Sequence, residues 1–229
     1  MRFRVLACDF DNTLAARGVA AESVVDALRR VSASGRSLIL VTGRVLEELV
    51  DVFADVDLFD RVVAENGGLL YRPATGEQRL LGPPPPSELV AALRAAAVHP
   101  LIVGRVLCGT IDEYEAEVID VLRRLRSDHV LIYNKDSIMV LPPGIDKASG
   151  LRTALDDIGA PPSATVAVGD AENDIDLLRS AGLGVAVANA LDSVKESAGL
   201  VLDRPNGEGV QMLCDALVES DLAGLLIGA

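Results

Sequence analysis

Asp9 and Asp11 stand two residues apart in Asp9-Phe10-Asp11-Asn12-Thr13-Leu14, and a second acidic group stands in Gly169-Asp170-Ala171-Glu172-Asn173-Asp174. Between them in the chain lie Thr42-Gly43-Arg44 and an isolated Lys147. Clustered carboxylates repel one another and are costly without a cation. Hard oxygen donors with no His nearby, and no Cys but Cys8 inside the apolar run before Asp9, suit Mg²⁺. Such an ion, with the Lys147 ammonium, would neutralise a phosphate dianion. One carboxylate could attack phosphorus while another handles protons; the residue types leave open which does which. In a fully extended strand Asp9 and Asp11, at i and i+2, would point to the same face, and a turn after Asp9 is expected so that the two reach one site from different sides.

These residues must be gathered by the elements that carry them. Short apolar runs recur at 5–8, 38–41, 61–64, 165–168 and 184–187, with a weaker one at 200–202. Continuous rather than alternating apolarity marks strands covered on both faces, as in a parallel sheet. Helical patterns at 21–33, 45–53, 147–158 and 173–181 alternate with them. The expected fold is therefore α/β, a doubly wound parallel sheet. Each chemical group follows a strand or opens a helix, and in such folds the ligand crevice lies beyond the carboxyl ends of the strands. Taken singly, each group has a bland reading as a solvated turn, a strand end or a helix N-cap. Their conjunction, in order and at strand ends, carries the functional reading.

The middle of the chain breaks this rhythm. Pro83–Pro86 and Pro142-Pro143 cannot lie within a central strand or a helix interior. Between them the pattern predicts a helix over 87–97, a strand over 101–108, a helix over 113–126 and a hairpin pairing 130–133 with 137–141 around Asn134-Lys135-Asp136. The expectation is a core of residues 1–81 and 142–229 interrupted by a small α+β module at 82–141.

Composition narrows the function classes. Half the residues are hydrophobic, aromatics are 3%, Trp is absent and the formal charge is -13. A polyanion would be repelled, and aromatic stacking platforms are lacking, so a nucleic-acid partner is not expected. Cys8, Cys108 and Cys214 have no metal-ligand spacing and are expected as free thiols in a reducing cytosol. Asp9 and Asp11 interrupt the first apolar run too early for a signal peptide. The C-terminal run 222–229 is too short to cross a bilayer, which takes about 20 apolar residues. The expected setting is cytoplasmic, as a monomer or homodimer. Lysine occurs only at 135, 147 and 195 among 21 basic residues. A lysine at 147 is thus less a neutral choice, because a compact ammonium at a phosphate is not interchangeable with a guanidinium.

Asp-x-Asp-x-Thr after the first strand, Thr42 after the second, Lys147, and Gly-Asp-x-x-Asn-Asp together resemble the haloacid dehalogenase superfamily of phosphohydrolases. The core resemblance covers roughly residues 3–68 and 141–210. The position of the insert and the sequence Glu65-Asn66-Gly67-Gly68 resemble its class IIB (Cof-like) branch, and the short cap is similar to small-cap phosphoglycolate and sucrose-phosphate phosphatases. Asn12 stands where many members of that branch have Gly. The resemblance implies a Mg²⁺-dependent phosphatase acting on a small phosphorylated metabolite through an aspartyl-phosphate. Asp9 would be the nucleophile and Asp11 the acid and base. Asp9, the carbonyl of Asp11, Asp170 and Asp174 would serve the metal. Thr42 with Gly43, Lys147 and Asn173 would hold the phosphoryl group.

Two other readings share parts of the pattern. A phosphomutase of the same superfamily carries all four motifs. A receiver-type signalling module also gathers acids, a Thr and a Lys, but the placement of Asp-x-Asp-x-Thr after the first strand and the roughly 60-residue insert argue against it. A dehalogenase has no need of Asp11 as leaving-group acid. Arg44 is expected at the surface or paired with a carboxylate, and Arg105 or Lys135 as the insert's candidate to hold a second anionic group.

Overall fold

The apolar runs form strands where both faces are covered. A computed structural model describes residues 1–226; the last three residues of the 222–229 run lie outside the described residues. The chain opens with β1 (Val5–Asp9), α1 (Glu22–Ala33), β2 (Ser37–Val41), α2 (Leu46–Val52) and β3 (Arg61–Ala64), followed by β4 (Leu69–Arg72) and β5 (Glu77–Leu80). The insert supplies α3 (Ser87–Ala95), β6 (Ile102–Val103), β7 (Cys108–Ile111), α4 (Glu115–Leu125), β8 (Val130–Asn134) and β9 (Ser137–Leu141). The return is α5 (Lys147–Ile158), β10 (Thr165–Gly169), α6 (Ile175–Ser180), β11 (Leu183–Ala186), α7 (Asp192–Ser197), β12 (Leu200–Val201), α8 (Asn206–Ser220) and α9 (Ala223–Leu226).

The larger sheet has the order β12-β11-β10-β1-β2-β3-β4-β5. Its first six strands are parallel, and β4 and β5 extend it antiparallel. The doubly wound parallel sheet is present, with an antiparallel edge that the apolar pattern did not announce. All five residues of β1 are buried, and β1 lies between β2 and β10. The chain winds outward one way through β2 and β3 and the other way through β10 and β11. The strand order reverses beside β1, which is where such sheets bind ligands.

The smaller sheet has the order β6-β7-β9-β8 and a core of its own, built from α3, α4 and the strands around Leu89, Leu93, Val118, Val121 and Ile138. The hairpin forms as the sequence predicts. The strand expected over 101–108 does not: it is broken at 104–107, where three successive N–H groups turn to one carboxylate. Glu65, fully buried, accepts from Arg105 (3.0 Å), Val106 (2.7 Å) and Leu107 (3.2 Å). A backbone whose donors are taken by a side chain has none left for a ladder. No helix among the described residues is long and apolar enough to cross a membrane. The three cysteines are free and buried. Burial pushes the Cys108 thiol up to about 11 and Cys214 to about 12, which leaves neither a nucleophile.

Candidate active site

Asp9 is the last residue of β1 and is 4% exposed. The chain then turns. Leu14 N–H returns to Asp9 C=O, and Asn12 sits at φ +57°. That left-handed conformation is open mainly to Gly and Asn, so Asn12 does what a glycine would do there. The turn places Asp11 on the rim of a cavity of about 400 Å³ between the sheet's carboxyl edge and the insert. There Arg44 grips it with both ends of its fork, Nε to Oδ2 and Nη2 to Oδ1, each at 2.7 Å. Arg44 is thus paired with a carboxylate, and that carboxylate is Asp11.

Lys147 occupies the first turn of α5, a place where the helix dipole disfavours a cation. Two carboxylates offset this. Its Nζ, 1% exposed, lies 2.6 Å from Asp9 Oδ1 and 2.7 Å from Asp174 Oδ1. Burial opposes its charge, but Asp174 and Asp9 outweigh burial, and its pKa lies above the ordinary lysine value. The helix start is fixed by a reciprocal cap in which Ser149 N–H reaches Asp146 Oδ1 at 2.7 Å and Asp146 N–H reaches Ser149 Oγ at 3.0 Å. Gly67, at φ +104°, lets the 65–67 turn press against that start, since a Cβ there would lie 2.0 Å from Asp146 O.

Asp170 and Asp174 follow β10. The other oxygen of Asp174 accepts the N–H groups of Asp170 and Ala171, both at 3.0 Å, and so shapes the loop that carries Asp170. Gly169 makes room for this, because a Cβ would come within 2.5 Å of Asp174 Cγ. Asp170 accepts from Thr13 Oγ1 at 2.9 Å and is paired with Lys135 of the insert's hairpin turn.

One oxygen from each of Asp9, Asp170 and Asp174 lies within 4.8 Å of the others. Burial raises the Asp9 carboxyl well above its usual range; Lys147 pulls it down while Asp174 and Asp170 push it up. Burial also raises Asp170, against Lys135 and with Asp174. Three buried carboxylates so disposed, all hard oxygen donors, fit a divalent cation.

Thr42 is fully buried, and its Oγ accepts from Arg44 N–H at 3.1 Å. Gly43 lines the cavity and faces Met139 of β9. Asn173 is interlocked with the buried Asn66, its Nδ2 donating to Asn66 Oδ1 at 2.9 Å. Asn66 Nδ2 and Asn173 Oδ1 have no protein partner, so this amide pair keeps a donor and an acceptor in hand beside the site. Asn66 and Thr13 had no assigned role on sequence grounds alone, and Lys135 was expected only as a candidate to hold a second anionic group, not as a partner of Asp170. Thr13 had a local signal in Asp-x-Asp-x-Thr, and Asn66 in Glu65-Asn66-Gly67-Gly68. Arg105 lies outside the cavity lining, on Glu47 at 2.6 Å and on Gln78.

The profile of the haloacid dehalogenase-like hydrolases matches residues 6–90 and 105–213. The phosphoglycolate phosphatase of Methanothermobacter thermautotrophicus is 32% identical over 216 residues, 90% of this chain and 95% of that protein. That of Natronomonas pharaonis is 32% identical over 213 residues, 89% and 93% of the two chains. Among solved structures, a haloacid dehalogenase-like hydrolase from Bacteroides thetaiotaomicron superposes with a TM-score of 0.79 at 21% identity, over 94% of this chain and 99% of that one. A sugar phosphatase of HAD subclass IIB gives 0.73 at 20% identity, over 93% and 97%. These two share the fold, insert included. With a profile and full-length relatives agreeing across the strand-end motifs, the chain belongs to the haloacid dehalogenase-like hydrolase family.

Proposed function

We propose that the protein is a Mg²⁺-dependent phosphatase that hydrolyses a small phosphate monoester, phosphoglycolate or a sugar phosphate, through an aspartyl-phosphate on Asp9. The observation that carries this reading is the buried Asp9 carboxylate, held by Lys147 at the carboxyl edge of the sheet beside Asp170 and Asp174. The full-length relatives named phosphoglycolate phosphatases support the substrate class.

Asp9, the carbonyl of Asp11, Asp170 and Asp174 would hold the ion, which supplies positive charge to the phosphoryl oxygens. Lys147 fixes Asp9 by one oxygen and leaves the other for attack on phosphorus. As the new O–P bond forms, the bond to the leaving oxygen breaks and Asp11 gives that oxygen a proton. Asp11 then takes a proton from the water that attacks the aspartyl-phosphate, which frees phosphate and restores Asp9. These duties require Arg44 to yield at least one of Asp11's oxygens. Thr42, the N–H of Gly43 and Asn173 would bind the phosphoryl oxygens. Residues 82–141 act as a cap that closes over the leaving group.

Phosphate release from 2-phosphoglycolate and a panel of sugar phosphates, with and without EDTA, tests this function. Activity is expected to vanish with EDTA and return with Mg²⁺; full turnover by metal-stripped protein would refute it. The raised carboxyls add a pH signature. Metal needs them deprotonated, and groups with raised pKa values take up protons earlier as pH falls. Calorimetric Mg²⁺ affinity should therefore weaken on acidification already above about pH 5, where an ordinary carboxylate of pKa about 4 is still ionised. Flat affinity down to that pH would contradict it. Asp11 gives a separate test. Asp11→Asn should slow phosphoglycolate hydrolysis about tenfold or more beyond its effect on p-nitrophenyl phosphate, because a basic alkoxide needs the acid and a phenolate does not. Equal losses on both substrates would remove the acid role.

A further inference from the structure

The insert delivers a cation to the acidic trio. Lys135 sits in the hairpin turn between β8 and β9 at φ +50°; its N–H donates to Glu172 Oε2 at 2.9 Å, and its ammonium pairs with Asp170. It also lines the 400 Å³ cavity that faces Asp11 and Gly43. Asp9, Asp170 and Asp174 carry three negative charges, faced by Lys147 and Lys135. Lys147 is shared between two of these carboxylates at 1% exposure, whereas Lys135 holds one and is 26% exposed. A metal ion on the trio would compete with Lys135 for Asp170, and the lysine, on four flexible methylenes, is the partner able to leave. The other cation on the cavity wall, Arg44, follows β2 on the core's side of the cavity and forks onto Asp11 through two bonds. The insert's side of the wall is otherwise mixed, with Ile102, Leu107 and Met139 beside Thr110, Asn134 and Ser137, and Asp136 next to Lys135. Among the described residues Lys135 is the one cation that the insert contributes to this lining, so an anionic group of the leaving group has one partner of opposite charge there.

We propose that Lys135 is the residue that determines specificity: set free from Asp170 in the metal-loaded protein, its ammonium binds a carboxylate of the leaving group, so that the preferred substrates are phosphate esters of small hydroxy acids. This rests on the phosphatase reading above and narrows its substrate class.

Binding of two non-hydrolysable ligands tests it. The first, 3-phosphonopropionate, has a carboxylate at the distance set by phosphoglycolate, and propylphosphonate has a methyl group in its place. Titration calorimetry with Mg²⁺ compares both ligands on the parent, Lys135→Met and Lys135→Arg. The parent is expected to prefer the carboxylate ligand by roughly 10- to 100-fold, the range for a hydrogen bond between charged groups. Lys135→Met should cut that preference to about threefold or less, while Lys135→Arg keeps most of it. If Lys135 merely pins Asp170, Lys135→Met changes both affinities by the same factor and the preference persists, which overturns the proposal. A parent without preference overturns it too. The phosphatase reading fails on a different result, namely no phosphate released from p-nitrophenyl phosphate with Mg²⁺.

Discussion

Asp9→Asn is expected to lower kcat on p-nitrophenyl phosphate by at least about a thousandfold while the protein stays folded. An amide lacks the charge to attack phosphorus and is a poorer ligand for a cation, so the loss is that of a covalent step rather than of alignment. The surroundings indicate that the fold tolerates the change. The amide oxygen of Asn can accept from Lys147 as Asp9 Oδ1 does at 2.6 Å, and Lys147 keeps Asp174 at 2.7 Å. Asp9 is one of three carboxylates crowded within 4.8 Å, and burial already disfavours its charge. Neutralising it relieves repulsion, so the melting temperature in EDTA at neutral pH should not fall. Steady-state phosphate release and thermal melting of one preparation are the two measurements needed. A folded variant that keeps more than a few per cent of the parent's kcat would mean that the nucleophile is another group.

Lys147→Met should do the opposite to stability. Its ammonium is buried and is the shared counter-ion of Asp9 and Asp174. Methionine fills similar space without charge and leaves both acids uncompensated, at a cost of about 3–5 kcal/mol for breaking one side of a buried ion network. For a chain of this size that is a fall in Tm of roughly 10 °C, measured in EDTA so that no ion takes the ammonium's place. The effect has a definite pH sign. Lys147 is what pulls Asp9 down against burial, so without it the folded-state pKa of Asp9 rises further above its unfolded value. A group raised in this way destabilises the folded state as pH climbs through that pKa and ceases to do so below the unfolded value. The deficit relative to the parent should be largest at neutral pH and shrink toward about pH 4, the unfolded carboxylate range. An unchanged Tm at neutral pH would show that the ammonium does not neutralise this cluster. Activity should be lost together with stability, since the same bonds aim Asp9.

How much of this was readable along the chain follows from the range of each interaction. The buried strands announced themselves because a strand covered on both faces must be apolar at successive positions, and β1, β2, β3 and β10 are almost wholly buried. Once those runs are strands, the places of Asp9, Thr42 and Asp170 at one edge follow from parallel order alone. The start of α5 at Lys147 was equally local, marked by the prolines before it, and the structure adds the Asp146–Ser149 cap that fixes it. Strand β5, Glu77–Leu80, is exposed at every residue and so carries no apolar signature. The break at 104–107 arises from Glu65, about 40 residues away, whose carboxylate draws the backbone donors out of the ladder.

The same distinction divides the site. Which residue types could serve a phosphate and a metal was written in the motifs, but their pairing was not. Arg44 grips Asp11 across 33 residues, Lys135 reaches Asp170 across 35 and Asn173 meets Asn66 across 107. No spacing rule encodes such contacts, because they depend on how the insert is seated over the sheet and on which side of the turn at Asn12 each side chain emerges. Spacing along the chain places a charge on an element, whereas the partner it meets, and so its pKa and its freedom to move, is set by the packing of elements distant in sequence.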